Sequence, residues 1–136
     1  MRTELMNAVV LAYIGDAVLE TRVREHIILD LNIVKPNLLQ QASIAYVSAK
    51  AQAAFIDYAL KENVFTEEEF SFYRRGKNAK ETRVLKNTSP LAHSKSTGFE
   101  AVIGHLHLNH NEERLAQLFS IYEAFVEQRE CKDEKN

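Results

Sequence analysis

The feature that most constrains this chain is an acid set inside an apolar helical pattern, in the stretch AYIGDAVLE over residues 12–20. Asp16 is surrounded in sequence by Ala12, Tyr13, Ile14, Ala17, Val18 and Leu19. On a helix of period 3.6, an acid so placed is expected on the buried side. A buried carboxylate is costly unless a cation or hydrogen-bond donors compensate it. Gly15 adds a second local cost, up to about 1 kcal/mol relative to alanine in a helix interior. Its missing side chain lets another backbone or a ligand approach closely. Two such costs in one turn mark a candidate functional site.

A second stretch, TGFEAVIGHL over residues 97–106, repeats the pattern: Glu100 lies in apolar helical sequence between Gly98 and Gly104. If the two helices pack through their glycines, the acids can face one pocket. Two carboxylates from separate helices suit a hard divalent cation such as Mg²⁺. For either acid alone, a nearby Arg, Lys or helix terminus is an equally good partner.

At 136 residues the chain is expected to form one domain. No apolar run reaches the length of a membrane span, and Asn7, Gly15 and Asp16 interrupt any signal-like core near the start. The lone cysteine, Cys131, has no partner for an internal disulfide. The expectation is a cytoplasmic protein. Net charge is −2, yet residues 74–95 hold seven basic residues and one acid, a local charge of +6 that leaves −8 on the remainder. A basic segment on an acidic body reads as a phosphate-binding surface, or as a solvated basic loop.

The pattern predicts helices throughout. A first helix over 3–29 would be capped by Thr3, with Leu5, Val9, Ala12, Tyr13, Val23, Ile27 and Ile28 on its apolar stripe. Pro36 opens a second, over 36–45, and Ser48 caps an alanine-rich third, over 49–62. Thr66 and Glu69 form a capping box for a helix that carries Phe70, Phe72 and Tyr73 and ends near Gly76. Its aromatics are helically spaced, as core or interface residues are. Residues 77–90 read mostly as loop, and residues 90–109 hold the second signature helix. Asn111 caps a last helix over 112–128, with Leu115, Leu118, Phe119, Tyr122 and Phe125 inward. No segment alternates as a strand does. The expected fold is all-α, with about six or seven helices.

IGDAVLE followed at long range by TGFEAVIG resembles the two signature helices of the ribonuclease III catalytic domain. YVSAKAQA (46–53), YRRGKNAK (73–80) and the short chain make it similar to the Mini-ribonuclease III branch, which lacks the double-stranded-RNA-binding domain. The resemblance covers residues 5–125. It implies a catalytic domain over 1–129; the residues of 130–136 themselves read as a charged, frayed tail. It also implies a homodimer whose interface lies beside the active sites, and cleavage of double-stranded RNA to 5′-phosphate and 3′-hydroxyl ends. Asp16 and Glu100 would be the catalytic metal ligands, for Mg²⁺ with Mn²⁺ as a substitute, and water would be the nucleophile. The branch further implies maturation of the large-subunit (23S) ribosomal RNA precursor, in the context of a pre-ribosome or a ribosomal protein.

The family also uses acids four residues before Asp16 and three before Glu100, where this chain has Ala12 and Thr97. A site with two acids should hold metal loosely. A rival reading is therefore a non-catalytic RNA-binding module on the same fold, and a weaker one is a helical protein-interaction domain. Glu20, one turn after Asp16, is expected to play a supporting role. His105, His107 and His110 lack the further ligands a zinc site needs and are expected to pack at a surface or interface. The RNA-contact candidates are Arg74, Arg75, Lys77, Asn78, Lys80 and Arg83. Duplex RNA is read largely through phosphates and 2′-hydroxyls, so sequence preference should be modest.

Overall fold

The computed structural model describes residues 2–79 and 89–135, with side chains described through residue 131. Lys80, Arg83, Lys86 and the one acid of the basic segment, Glu81, lie outside the described residues. Among the described residues six α-helices follow one another: α1 (Ala8–Glu25), α2 (Pro36–Val47), α3 (Ala49–Lys61), α4 (Glu67–Lys77), α5 (Pro90–Leu108) and α6 (Glu112–Lys135). A 3-10 turn (Thr3–Leu5) precedes α1, and a π-helical turn (His26–Asp30) extends it. There is no strand among the described residues.

Capping chemistry sets most boundaries. The Ser48 hydroxyl accepts from Ala51 N and starts α3, and Ser89 does the same for Ala92 N at α5. Thr66 and Glu69 close the expected capping box at α4. Asn111 Oδ1 accepts from Arg114 N at 3.3 Å in the first turn of α6. The first boundary differs from expectation. Asn7, not Thr3, caps α1, because Thr3 is buried and its hydroxyl is engaged with His105 Nδ1 at 2.8 Å. The last helix continues past residue 128 to Lys135.

α5 is the central helix. Residues 96–99 and 101–106 are all buried, as expected of a helix covered on every side. It packs against α1, α3, α4 and α6. Glycines permit the closest of these contacts. A methyl group on Gly15 would lie 1.8 Å from the Glu100 carbonyl oxygen, and one on Gly104 would lie 2.0 Å from that of Leu11. α1 and α5 thus touch backbone to backbone, one glycine from each helix. On the other side of α5, Gly76 of α4 meets Gly98, and the Tyr73 ring covers Gly98.

Two polar clusters tie the periphery together. Buried Glu69 accepts from Arg114 Nε and Nη2 at 2.8 and 2.9 Å, while Arg114 Nη2 also donates to the Val64 carbonyl. This bidentate pair fixes the start of α4 to α6. At the π-helical turn, His26 Nδ1 faces Asp30 Oδ2 at 2.7 Å and Nε2 faces Glu127 Oε2 at 2.6 Å. Glu123 lies 3.4 Å from Nδ1, and the Tyr46 hydroxyl of α2 donates to Glu127. Burial of His26 disfavours its protonated form, but the hydrogen bonds to Glu127 and Asp30 outweigh this and raise its pKa above 6.5. Burial also raises Glu123 above 4.5, in a more acidic window.

Gly15→Ala should lower stability by about 2 kcal/mol or more, because its methyl has no space between two backbones. Urea unfolding measures this, and a loss under about 0.5 kcal/mol would contradict the contact. A proton bound more tightly by folded His26 than by the unfolded chain stabilises the fold below about 6.5, and that stability is lost as pH rises through the raised folded value. Unfolding midpoints taken between about pH 6 and 8.5 should therefore fall in the native protein. In His26→Asn they should change much less.

Candidate active site

The two signature acids come from the pair of helices with the closest backbone contact. Gly15, adjacent to Asp16, sits against the carbonyl of Glu100. Asp16 itself is exposed, against the expectation of a buried acid. The reason is rotational. Buried Leu11, Ala12, Gly15, Leu19 and Val23 trace the face of α1 that meets the protein, and Asp16 lies one step, about 100°, beyond Gly15. Tyr13 turns outward in the same way and is 82% exposed. Leu5 and Ile28, also expected on the inner stripe, are exposed too. Asp16 therefore stands on open surface beside the helix contact, while Glu20 is half-buried one turn further along.

Glu100 is half-buried. Its Oε2 accepts from Gln52 Nε2 at 3.2 Å, and the same amide nitrogen donates to the Val47 carbonyl at 3.1 Å. Both partners are acceptors, so the amide orientation is fixed by chemistry: nitrogen toward them, oxygen away. Gln52 is 1% exposed, and its Oε1 has no hydrogen-bond partner among the described residues. A buried acceptor without a partner costs about 1–3 kcal/mol. Nearby, the Tyr122 hydroxyl donates to the Tyr46 carbonyl. Its pKa is raised by burial and then by the negative charge of Glu100.

The two positions without family acids are both enclosed. Ala12 and Thr97 are each 6% exposed. The Thr97 hydroxyl donates to the His93 carbonyl at 3.0 Å and Ala12 has no ligand atom, so Asp16 and Glu100 are the carboxylates this motif offers. They are hard oxygen donors of the kind Mg²⁺ prefers.

The basic segment divides into committed and open groups. Lys95 Nζ donates to Asp57 at 2.6 Å. Arg75 lies 5.0 Å over the Phe72 ring and donates to the Met6 carbonyl, which holds the N-terminal turn. Arg74 and Asn78 are exposed and, with Ser71 and Arg75, line a shallow hollow at the end of α4. Lys77 is half-buried on the same turn. Cations here also complement the C-terminal dipole of α4.

The histidines form no shared site. His105 is buried and stacked on Phe72 at 3.8 Å between centroids. Burial lowers its pKa, partly opposed by Glu68. His107 is half-buried on α5. His110 adopts φ of 58° in the turn before α6. His26, Asp30 and Glu123 could approach one cation, but Asp30 and Glu127 already occupy both His26 nitrogens. Gln52 is the residue that sequence reasoning passed over. Its signal is readable all the same: it lies on the inner face of α3 with buried Phe55, Ile56 and Ala59, at spacings of three, four and seven.

Comparison with known proteins shows the family and the fold. The sequence matches the Ribonuclease III domain family over residues 9–111. It is 45% identical over 126 residues to the Mini-ribonuclease 3 of Staphylococcus aureus, covering 93% of each chain. Over 116 residues it is 47% identical to the Mini-ribonuclease 3 of Streptococcus pneumoniae, covering 85% of this chain and 90% of that one. A crystal structure of a Fusobacterium nucleatum protein has a similar fold, with a TM-score of 0.76 at 25% identity over 85% of this chain and 91% of that one. The chain belongs to the ribonuclease III family, in its Mini-ribonuclease 3 branch.

Proposed function

We propose that this endoribonuclease cuts double-stranded RNA with Mg²⁺ held by Asp16 and Glu100, and that Mn²⁺ can replace Mg²⁺. The observation that carries this reading is the contact of Gly15 with the Glu100 backbone, which brings the two acid-bearing helices together at one point. A divalent cation there would lower the pKa of water and offset charge on the leaving oxygen. Asp16 offers an open carboxylate at the surface. Glu100 offers one whose position is fixed by Gln52. Water is the nucleophile, and the products carry 5′-phosphate and 3′-hydroxyl ends.

Arg74, Lys77 and Asn78 at the end of α4, together with Lys80 and Arg83, form the proposed grip on RNA phosphates. Arg75 supports it from within. The grip works as a homodimer in the cytoplasm, and Tyr13, three residues before Asp16 on α1, and Leu5, in the turn that precedes α1, are 82% and 81% exposed and are the apolar groups a second copy would cover. The proposed substrate is the large-subunit ribosomal RNA precursor, met in a pre-ribosome or with a ribosomal protein. The similarity to the Mini-ribonuclease 3 branch over nearly the whole chain supports that choice.

A duplex RNA of tens of base pairs tests the reading. Wild type should run as a dimer in light scattering and cut the duplex with Mg²⁺, and a chelator should stop it. Asp16→Asn should bind RNA with near-native affinity but lose cleavage by about two orders of magnitude or more. Binding without cleavage by wild type under every divalent cation would favour the non-catalytic RNA-binding module instead.

A further inference from the structure

We infer that Gln52 is a positioning residue for metal binding, retained in the core for function at the expense of stability. The inference rests on the metal-site reading of Glu100. Its geometric basis is the hydrogen bond of 3.2 Å from the Gln52 amide to Glu100 Oε2.

A half-buried carboxylate that must hold a cation has two needs. It needs a hydrogen-bond donor to fix its rotamer, and that donor should not bring a positive charge that competes with the cation. An Arg or Lys would meet the first need and fail the second. The neutral amide of Gln52 meets both. It is itself held in place: its nitrogen also donates to the Val47 carbonyl at the end of α2, and its side chain is packed on the buried face of α3. The carboxylate of α5 is thus referenced to α2 and α3 through one side chain.

The unpartnered amide oxygen points the same way. Among the described residues, Gln52 Oε1 is buried and has no hydrogen-bond partner. Packing alone would favour an apolar residue of the same length, which leaves no such group. A residue that carries this cost while touching a proposed metal ligand fits the pattern of local rules broken at functional sites. It also bears on Ala12 and Thr97. With two acids where the family has four, the placement of each remaining carboxylate matters more to affinity.

The test uses the full-length protein with Gln52→Met, which keeps length and removes both polar atoms. Four quantities are measured: thermal midpoint, Mn²⁺ affinity by calorimetry without RNA, and kcat and KM for duplex cleavage with Mg²⁺. The expected result is a thermal midpoint equal to or above wild type. Mn²⁺ affinity or kcat should fall by about ten- to a hundred-fold, with KM for RNA little changed. In a Glu100→Gln background, Gln52→Met should change Mn²⁺ affinity no further, because its effect passes through Glu100. A folded Gln52→Met with wild-type Mn²⁺ affinity and kcat would overturn the inference. So would a Gln52→Met that unfolds or melts well below wild type, since the residue would then serve stability. If Glu100→Gln leaves Mn²⁺ affinity and cleavage unchanged, the metal-site reading itself has failed, and the two failures are told apart.

Discussion

The backbone contact between α1 and α5 is the constraint on which the rest depends. A helix buried all round must meet its neighbours through small residues somewhere, or its side chains hold every partner at full distance. Here Gly15 and Gly104 let the two helices meet through main-chain atoms, and Gly76 and Gly98 do the same between α4 and α5. Such a contact has little freedom to slide, because each glycine faces a particular carbonyl or Cα. The register of α1 on α5 is therefore set at the turn where Asp16 follows Gly15. Close packing and placement of the acids are one feature rather than two.

Around this contact, charges are divided between those that hold the fold and those left at the surface. Glu69 with Arg114, His26 with Asp30 and Glu127, and Lys95 with Asp57 are internal pairings. Arg75 belongs with them, since its guanidinium holds the N-terminal turn. Asp16, Arg74 and Asn78 are exposed. A protein of net charge −2 can thus offer phosphates a local cationic edge while its acidic body discourages loose association elsewhere. Glu100 lies between the two groups, half-buried and held by the neutral Gln52.

Much of this was legible in the sequence where the rule was local. Ser48, Thr66 with Glu69, and Asn111 start their helices as expected, and the inward stripe of α6 is Leu115, Leu118, Phe119 and Tyr122. What was not legible depended on rotation and distant partners. Asp16 and Gly15 are neighbours in sequence, but only the position of α5 decides which of them faces inward. Thr3 reads as a cap until His105, from the far end of the chain, engages its hydroxyl. The basic segment reads as one patch until Asp57 and the Met6 carbonyl take up two of its members. Gln52 lay within a recognised motif, and only its partner on α5 gives it a role.

In the proposed site, Asp16 and Glu100 serve one metal ion because α1 and α5 meet where they do. Mn²⁺ binding to the RNA-free protein, compared across wild type, Asp16→Asn, Glu100→Gln and the double variant, tests it most directly. A shared ion gives one class of site, weakened by either substitution, with the double variant little worse than the weaker single one. Independent, additive losses, or binding that survives both substitutions, would show that the two acids do not share a cation.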